Sequence, residues 1–164
     1  MPASWARCRT HVRLAYSRYG SDERGDFTMH STNYSDTFIA IAEDSTAAQG
    51  VPPPEKEDNP SVASRTWRMI FEQPHVHTSD DVIFSVWADR QGIPESNRAV
   101  AREQFFSKGR ACLRASDLGK KYGWGIHHDH DGRVAVYGRE TDEYREFVAT
   151  GEVTTLTSMR SSRG

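Results

Sequence analysis

The spacing of apolar and polar positions predicts short strands and short helices from residue 29 onwards. Residues 37–42 are apolar on both faces, which is typical of a short interior strand. Residues 44–58 include Pro52-Pro53-Pro54, and consecutive prolines are incompatible with a helix interior or a central strand. This stretch is therefore a predicted loop.

Three helices are predicted in the next part of the chain from their start and stop signals. The first begins at Asn59-Pro60 with Asn59 as its cap, and the second begins at a capping box in residues 78–81 and stops at Gly92. The third begins at Pro94, and Gly109 is predicted to close it. The predicted inward-facing side chains are Trp67, Ile70, Phe71, Val82, Ile83, Val86, Trp87, Val100, Ala101, Phe105 and Phe106.

Beyond Gly109 the pattern returns to strands, with one further helix. The predicted strands are 112–115, 124–128 and 133–137 (a hairpin turning at Asp131-Gly132) and 153–159. Thr141 caps the helix, whose predicted inward residues are Tyr144, Phe147 and Val148. We therefore predict an α+β fold with a small mixed sheet of short strands packed against about four helices.

Composition narrows the class of protein. The chain has 164 residues, 27% of them charged, and a net charge of −2, so no general attraction to nucleic acid or to an anionic membrane is expected. No apolar run has the ~20 residues of a membrane span. Cys8 and Cys112 are far apart in sequence and form no metal-binding motif, so we interpret them as reduced thiols in a cytoplasmic protein.

Residues 1–28 differ from the rest of the chain because they hold five arginines and three acidic residues and end in a polar connector. We interpret them as a flexible N-terminal extension, either disordered or a start-site artefact, followed by a single domain at 29–164. The alternative is a basic amphipathic helix that contacts a membrane surface or a partner.

Several short motifs are shared with a known family. They are Met29–Tyr34, Asp36–Ile39, Thr78–Val82, Ile93–Ser96, Phe105–Gly109, Cys112–Ser116, Tyr122–His127, Val136–Gly138, Glu143-Tyr144 and Met159–Ser161. In this combination the chain resembles the bacterial domain-of-unknown-function family 6157 across residues 29–163. The resemblance implies one domain beginning at Met29, and it implies no activity, cofactor or catalytic residue.

The segment 108–127 is the strongest candidate for a binding site. Its candidate ligand-binding residues are Lys108, Arg110, Arg114, Ser116, Lys120, Trp124 and His127. Cations beside a short helix capped by Ser116 suit a phosphate or carboxylate, whereas the alternative is a solvated charged surface. Trp124 between two glycines is either a stacking platform for a ligand or a core residue.

Cys112 and His127 are the candidates for catalysis. Arg110 and Arg114 flank the cysteine, and positive charge favours thiolate. On a strand, both arginines share the face of Cys112 while Leu113 turns inward. This geometry predicts a partly exposed thiol that His127 could serve as a base; the alternative is a small buried cysteine.

The run His127–Asp131 raises the question of a metal site. His128 and His130 would share one face of a strand, with His30, His75 or His77 as a third ligand. Residues 129–132 also have the composition of a hairpin turn, and on that interpretation we predict neither a metal nor a cofactor.

Three functions are compatible with these sequence features. The first is binding of an anionic small molecule or a protein partner at 108–127, and the second is a small enzyme that uses Cys112 or His127. The third is a structural or stress-related protein with no small-molecule site. The sequence does not determine the oligomeric state.

Overall fold

The computed structural model describes residues 29–161, so our predictions for the N-terminal extension lie outside the described residues. The helices are α1 (Val62–Glu72), α2 (Ser79–Gln91), α3 (Arg98–Phe106), α4 (Asp117–Lys120) and α5 (Asp142–Thr150). The strands are β1 (Thr37–Ala40), β2 (Trp124–His128), β3 (Val134–Gly138) and β4 (Thr154–Thr157). This composition and order confirm the α+β prediction.

The four strands form one mixed sheet in the order β3-β2-β1-β4. The hairpin strands β2 and β3 are antiparallel, and so are β1 and β2, while β1 and β4 are parallel. Phe38 stands opposite His127 and Ile39 opposite Ile126. Because side chains alternate across a strand, Phe38 and His127 share one face of the sheet and Ile39 and Ile126 share the other.

Each face of the sheet is covered by different helices. On the face that we call the helix-pair face, Ile39 and Ile126 pack with Ile70 of α1 and Val86 of α2. On the opposite face, the α5 face, Phe38 packs with side chains of α5. The core is therefore divided into two layers by the sheet, and the position of a residue along a strand decides which layer it enters.

Helix α2 is held at both ends by local interactions that the sequence predicted. The Thr78 hydroxyl accepts the N–H of Asp81, and the Asp81 carboxylate accepts the N–H of Thr78, which completes the capping box. Gly92 follows the helix with a φ of 65°, a left-handed conformation that glycine adopts without strain. The boundaries of α2 are thus determined by local chemistry.

The first described residues are tied to the start of α2. Asp80 is buried and accepts the backbone N–H of Thr32 at 2.7 Å, the Thr32 hydroxyl at 2.7 Å and the Ser31 hydroxyl at 2.8 Å. The Asn33 side chain in turn accepts the N–H of Asp80. Several donors from residues 31 and 32 converge on this one carboxylate, so the network holds the start of the family-like segment against α2.

Several boundary and burial predictions are wrong. Helix α1 begins after Ser61, whose hydroxyl accepts the N–H of Ser64, so the predicted cap at Asn59 is incorrect. Helix α3 ends before Gly109, at Phe106, with Ser107 in a right-handed conformation. Three residues that we predicted to face inward are about half exposed or more: Phe71, Val100 and Val148.

The predicted strand at 112–115 is also wrong, because Leu113–Ala115 form a turn of 3-10 helix. The N–H groups of Ala115 and Ser116 bond to the carbonyls of Cys112 and Leu113, and the N–H of Met159 bonds to the Arg114 carbonyl. These backbone groups bond within the turn and to Met159, so the segment is not a strand of the sheet. The side chains of 113–115 therefore follow a helical turn.

Candidate functional site

A cavity of about 530 Å³ opens between α1, α2 and the segment that links α3 to α4. Its lining residues are Val62, Ala63, Thr66, Ile83, Val86, Trp87, Arg90, Phe105, Arg110, Ala111, Cys112, Leu113, Ala115, Ser116 and Asp117. The volume lies within the range of small-molecule sites, which are mostly apolar with a few well-placed polar groups. This lining has the same character.

Helix periodicity explains why α2 presents one face to the cavity. Ile83, Val86, Trp87 and Arg90 recur at spacings of three and four residues, so they share one side of the helix. The apolar members lie along the cavity, while Arg90 in the last turn is exposed. The wall formed by α2 is therefore apolar along its length and cationic at its C-terminal end.

Arg110 forms a second cationic part of the lining. Its Nε donates to the Phe105 carbonyl at 2.7 Å, and its guanidinium carbon lies 3.9 Å from the centre of the Phe105 ring. These contacts hold the half-buried guanidinium over an aromatic face, an arrangement that stabilises a cation. Among residues 29–161, neither Arg110 nor Arg90 forms an ion pair with a carboxylate.

One acidic residue also lines the cavity. Asp117 forms an ion pair with Lys121 at 3.2 Å, and both side chains are well exposed. The Ser116 hydroxyl caps α4 by accepting the N–H of Leu118. Because Asp117 already has a cationic partner, no carboxylate of the lining balances the charges of the two arginines.

Thr66 supplies a polar group inside the lining. The residue is 5% exposed, and its hydroxyl has no hydrogen-bond partner among the described residues. The Thr66 oxygen keeps some accessible surface and the residue lines the cavity, so its hydroxyl is available to a polar group bound there.

The structure divides the candidate binding residues among several places. Arg110, Cys112 and Ser116 line the cavity. Arg114 instead donates from Nε to the Thr157 carbonyl at 3.0 Å, which attaches the linking segment to β4. The predicted convergence of Arg110 and Arg114 on one strand face is therefore wrong.

The remaining members of the predicted segment lie away from the cavity. Lys108 is exposed in the linker, and Lys120 is half-buried in α4. Trp124 is buried beside Trp67, and its indole N–H donates to the Val51 carbonyl at 2.9 Å. Trp124 is therefore a core residue covered by the 44–58 loop.

Cys112 and His127 lie on opposite faces of the sheet. Cys112 is 3% exposed, packs in the helix-pair layer and lies 3.4 Å from the Tyr34 hydroxyl. The exposure that we predicted for this thiol is wrong. His127 stacks on Phe147 of α5 at 4.4 Å and lies 2.9 Å from the imidazole of His75. The sheet separates the two side chains, so they do not form a thiol–imidazole pair.

The two candidate metal ligands of the hairpin are also separated. His128 is completely buried, whereas His130 is exposed in the turn with its Nδ1 3.0 Å from the Asp36 carboxylate. The Asp129 carboxylate accepts the N–H groups of Asp131 and Arg133, as in a hairpin turn. Within residues 29–161, no three His, Cys, Asp or Glu side chains are grouped as metal ligands.

The neighbours of each histidine perturb its pKa differently. Burial lowers the pKa of His128 to about 3, with a smaller contribution from His127. Burial and then the nearby His75 lower the pKa of His127. The Asp36 carboxylate raises the pKa of His130, first through the hydrogen bond and then through its charge.

The model of a family described as "Family of unknown function (DUF6157)" matches residues 29–164. The chain belongs to the DUF6157 family. No curated protein and no solved structure matches the chain. Of the helices described for this DUF6157 member, none has the length and apolar character needed to cross a membrane.

Sequence reasoning missed two polar residues of the DUF6157 cavity, Arg90 and Thr66. Arg90 continues the apolar stripe of α2 by one further turn, and this periodicity could have indicated it. Thr66 lies four residues before Ile70 in α1, so it shares a side of the helix with a core residue. A polar residue within an apolar stripe was the available signal.

Proposed function

We propose that this protein binds a small amphipathic anion in the cavity between α1, α2 and the linking segment. The observation that carries the proposal is the presence of two arginines without carboxylate partners in a largely apolar cavity. The apolar body of the ligand contacts Val86 and Leu113, and its acid group faces Arg90 and Arg110.

The energetics favour a ligand with both parts. Apolar contact contributes about 25 cal/mol for each Å² removed from water, and it does not distinguish an acid from a neutral ligand of the same shape. A carboxylate or phosphate that bonds to a partly buried guanidinium adds a directional interaction worth about 1.5–3 kcal/mol. Arg90 is exposed, so its contribution lies below this range, whereas half-buried Arg110 is held in place by Phe105.

The test uses two amphipathic acids, decanoate and 2-naphthoate, and their neutral alcohols, 1-decanol and 2-naphthalenemethanol. Isothermal titration calorimetry of the full chain is expected to show saturable one-to-one binding of at least one acid, and weaker binding of its alcohol. An Arg90→Gln/Arg110→Gln double variant is expected to reduce affinity for that acid by about tenfold or more.

Arg133→Gln is the matched control because Arg133 is exposed at the hairpin turn and does not line the cavity. This control variant is expected to bind like the parent chain. Failure of both acids to bind would refute the proposal, and so would an affinity that the double variant does not change. The melting temperature of each variant shows whether loss of the Arg110–Phe105 contact has altered the fold.

The small-enzyme alternative requires chemistry at Cys112 or His127 acting separately, since the sheet lies between them. A protein partner at 108–127 would use the exposed Lys108 and the rim around Arg110. We favour the small ligand because the cavity has the volume of a small-molecule site and a largely apolar lining. The proposal also places the protein in the cytoplasm, where the Cys112 thiol stays reduced.

A further inference from the structure

We infer that the ligand is a planar aromatic acid with a hydroxyl group remote from its acid group; this inference rests on the proposed function. Two observations support it in addition to the arginines without carboxylate partners. The first is a group of aromatic side chains at the cavity, one of which stacks with the Arg110 guanidinium, and the second is the hydroxyl of Thr66 without a partner among the described residues.

The aromatic wall is formed by residues that are distant in sequence. The ring centres of Trp87 and Phe105 are 4.8 Å apart, and the ring of Phe84 packs against Phe105 from a separation of 5.8 Å. The Arg110 guanidinium lies over Phe105, as described above. Of these residues, Trp87, Phe105 and Arg110 line the cavity.

An aromatic ligand gains more from this wall than an acyl chain does. Aromatic rings interact through their faces and edges beyond simple apolar contact, and a planar guanidinium stacks on an aromatic face. A flexible chain gains only apolar contact, and it loses the freedom of its rotatable bonds on binding. The wall therefore favours a rigid, flat body.

Thr66 determines where a second polar group belongs. Its hydroxyl can donate one hydrogen bond and accept others, yet it makes none with the residues around it. Thr66 lies in the second turn of α1, Arg90 in the last turn of α2 and Arg110 in the linking segment, so the hydroxyl and the two cations come from different elements of the lining. A ligand hydroxyl at the end opposite the acid would pair with Thr66 while the acid remains at the arginines.

The test compares three probes with the full chain by calorimetry: 6-hydroxy-2-naphthoate, 2-naphthoate and decanoate. We expect 2-naphthoate to bind more tightly than decanoate, and the hydroxyl group to add about a further fivefold in affinity. Thr66→Val, which preserves side-chain shape, is expected to remove this fivefold advantage and to leave 2-naphthoate binding unchanged. Thr66→Ser retains a hydroxyl and is expected to keep the advantage.

Thr154→Val is the matched control, because Thr154 is exposed on β4 and lies outside the cavity. Binding of decanoate as tightly as 2-naphthoate would overturn the aromatic preference and leave the proposed function standing. A hydroxyl advantage that persists in Thr66→Val, or is absent from the parent chain, would overturn the assignment to Thr66. If neither acid binds, the proposed function itself fails.

Discussion

The two faces of the sheet carry similar apolar residues, but the helices that cover them pack with different closeness. On the α5 face, the Phe38 ring contacts Tyr144 at 5.1 Å and Phe147 at 4.8 Å, and Phe147 also stacks on His127. On the helix-pair side, a cavity lies between α1, α2 and the linking segment, and its lining contains no strand residue. The α5 side is thus filled by ring contacts, whereas the opposite side retains space between its helices.

The consecutive residues His127 and His128 show the same difference at the level of single side chains. His127 enters the α5 layer, where His75 and Phe147 hold its ring. His128 enters the other layer, where it is fully buried, contacts the ring of Tyr34 edge-on, and has no hydrogen-bond partner at either nitrogen among the described residues. The two neighbouring residues have different surroundings because successive side chains of a strand point to opposite faces of the sheet.

The largest loss of stability is expected from a substitution on the α5 face of the sheet. Phe38→Ala removes a fully buried ring from between Tyr144 and Phe147, and is expected to lower the free energy of unfolding by about 3–5 kcal/mol. Urea denaturation measures this loss. Val148→Ala, on the exposed side of α5, is the control and is expected to change stability by about 0.5 kcal/mol or less. A loss below about 1 kcal/mol for Phe38→Ala would contradict the close packing of this face.

The second prediction concerns acid stability of the helix-pair layer. His128 has a folded-state pKa of about 3, lowered mainly by burial, against an ordinary value of 6.5. Between these values the unfolded chain binds a proton that the folded chain does not, so this contribution lowers stability as pH falls. The loss approaches about 1.4 kcal/mol per pH unit and is on the order of 3 kcal/mol at pH 4.

Urea denaturation at pH 4 to 7 measures this effect. His128→Phe, which keeps an aromatic ring beside Tyr34, is expected to flatten the dependence. His130→Gln is the control because the pKa of exposed His130 is raised, so its own contribution is present at low pH and is lost as pH rises. An acid slope that is the same in His128→Phe and in the parent chain would show that His128 is not the buried group responsible.

The third prediction tests whether the two faces tolerate added volume differently. A Cβ at Gly125 would stand 2.4 Å from the ring of Phe38 and 2.7 Å from that of Tyr144, so Gly125→Ala is expected to cost about 1–3 kcal/mol. Val86→Leu adds a methylene beside the cavity and is expected to change stability by less than about 1 kcal/mol. Thermal denaturation measures the stability of both variants. Equal losses of stability would contradict the closer packing of the α5 face.

The smallest expected effect is at the His75–His127 contact. His75→Ala removes the second cause of the lowered pKa of His127 but leaves burial, which is the first. The pKa of His127 is therefore expected to rise while staying below its usual value, as followed by NMR titration of the ring protons. His77→Ala is the control, because His77 bonds to Gln73 instead. An unchanged His127 pKa in His75→Ala would contradict the 2.9 Å contact.

Elements defined by local chemistry were predictable from the sequence. The Thr78–Asp81 capping box, Gly92 and the Thr141 cap each act within about one helical turn, so their residue types identify them without knowledge of the fold. The Asp131-Gly132 turn is equally local, with Gly132 at a φ of 78°. Their positions in the structure confirm these predictions.

The segment 110–116 was not predictable in the same way. Its alternation resembles a strand, but its backbone groups bond within a tight turn and to Met159 near the chain end. Arg114 likewise finds its partner at Thr157, 43 residues away. Short segments with weak local preference take the conformation that distant partners impose.

The sequence by itself determined the α+β class, both ends of α2, the start of α5, the hairpin and the membership of residues 29–164 in DUF6157. Only the tertiary structure decided that Arg110, Cys112 and Ser116 share a cavity with Arg90 and Thr66, and that the sheet separates Cys112 from His127. Local signals act over a few residues along the chain. The cavity depends on how α1, α2 and the linking segment pack, and that packing arises from contacts between residues far apart in sequence.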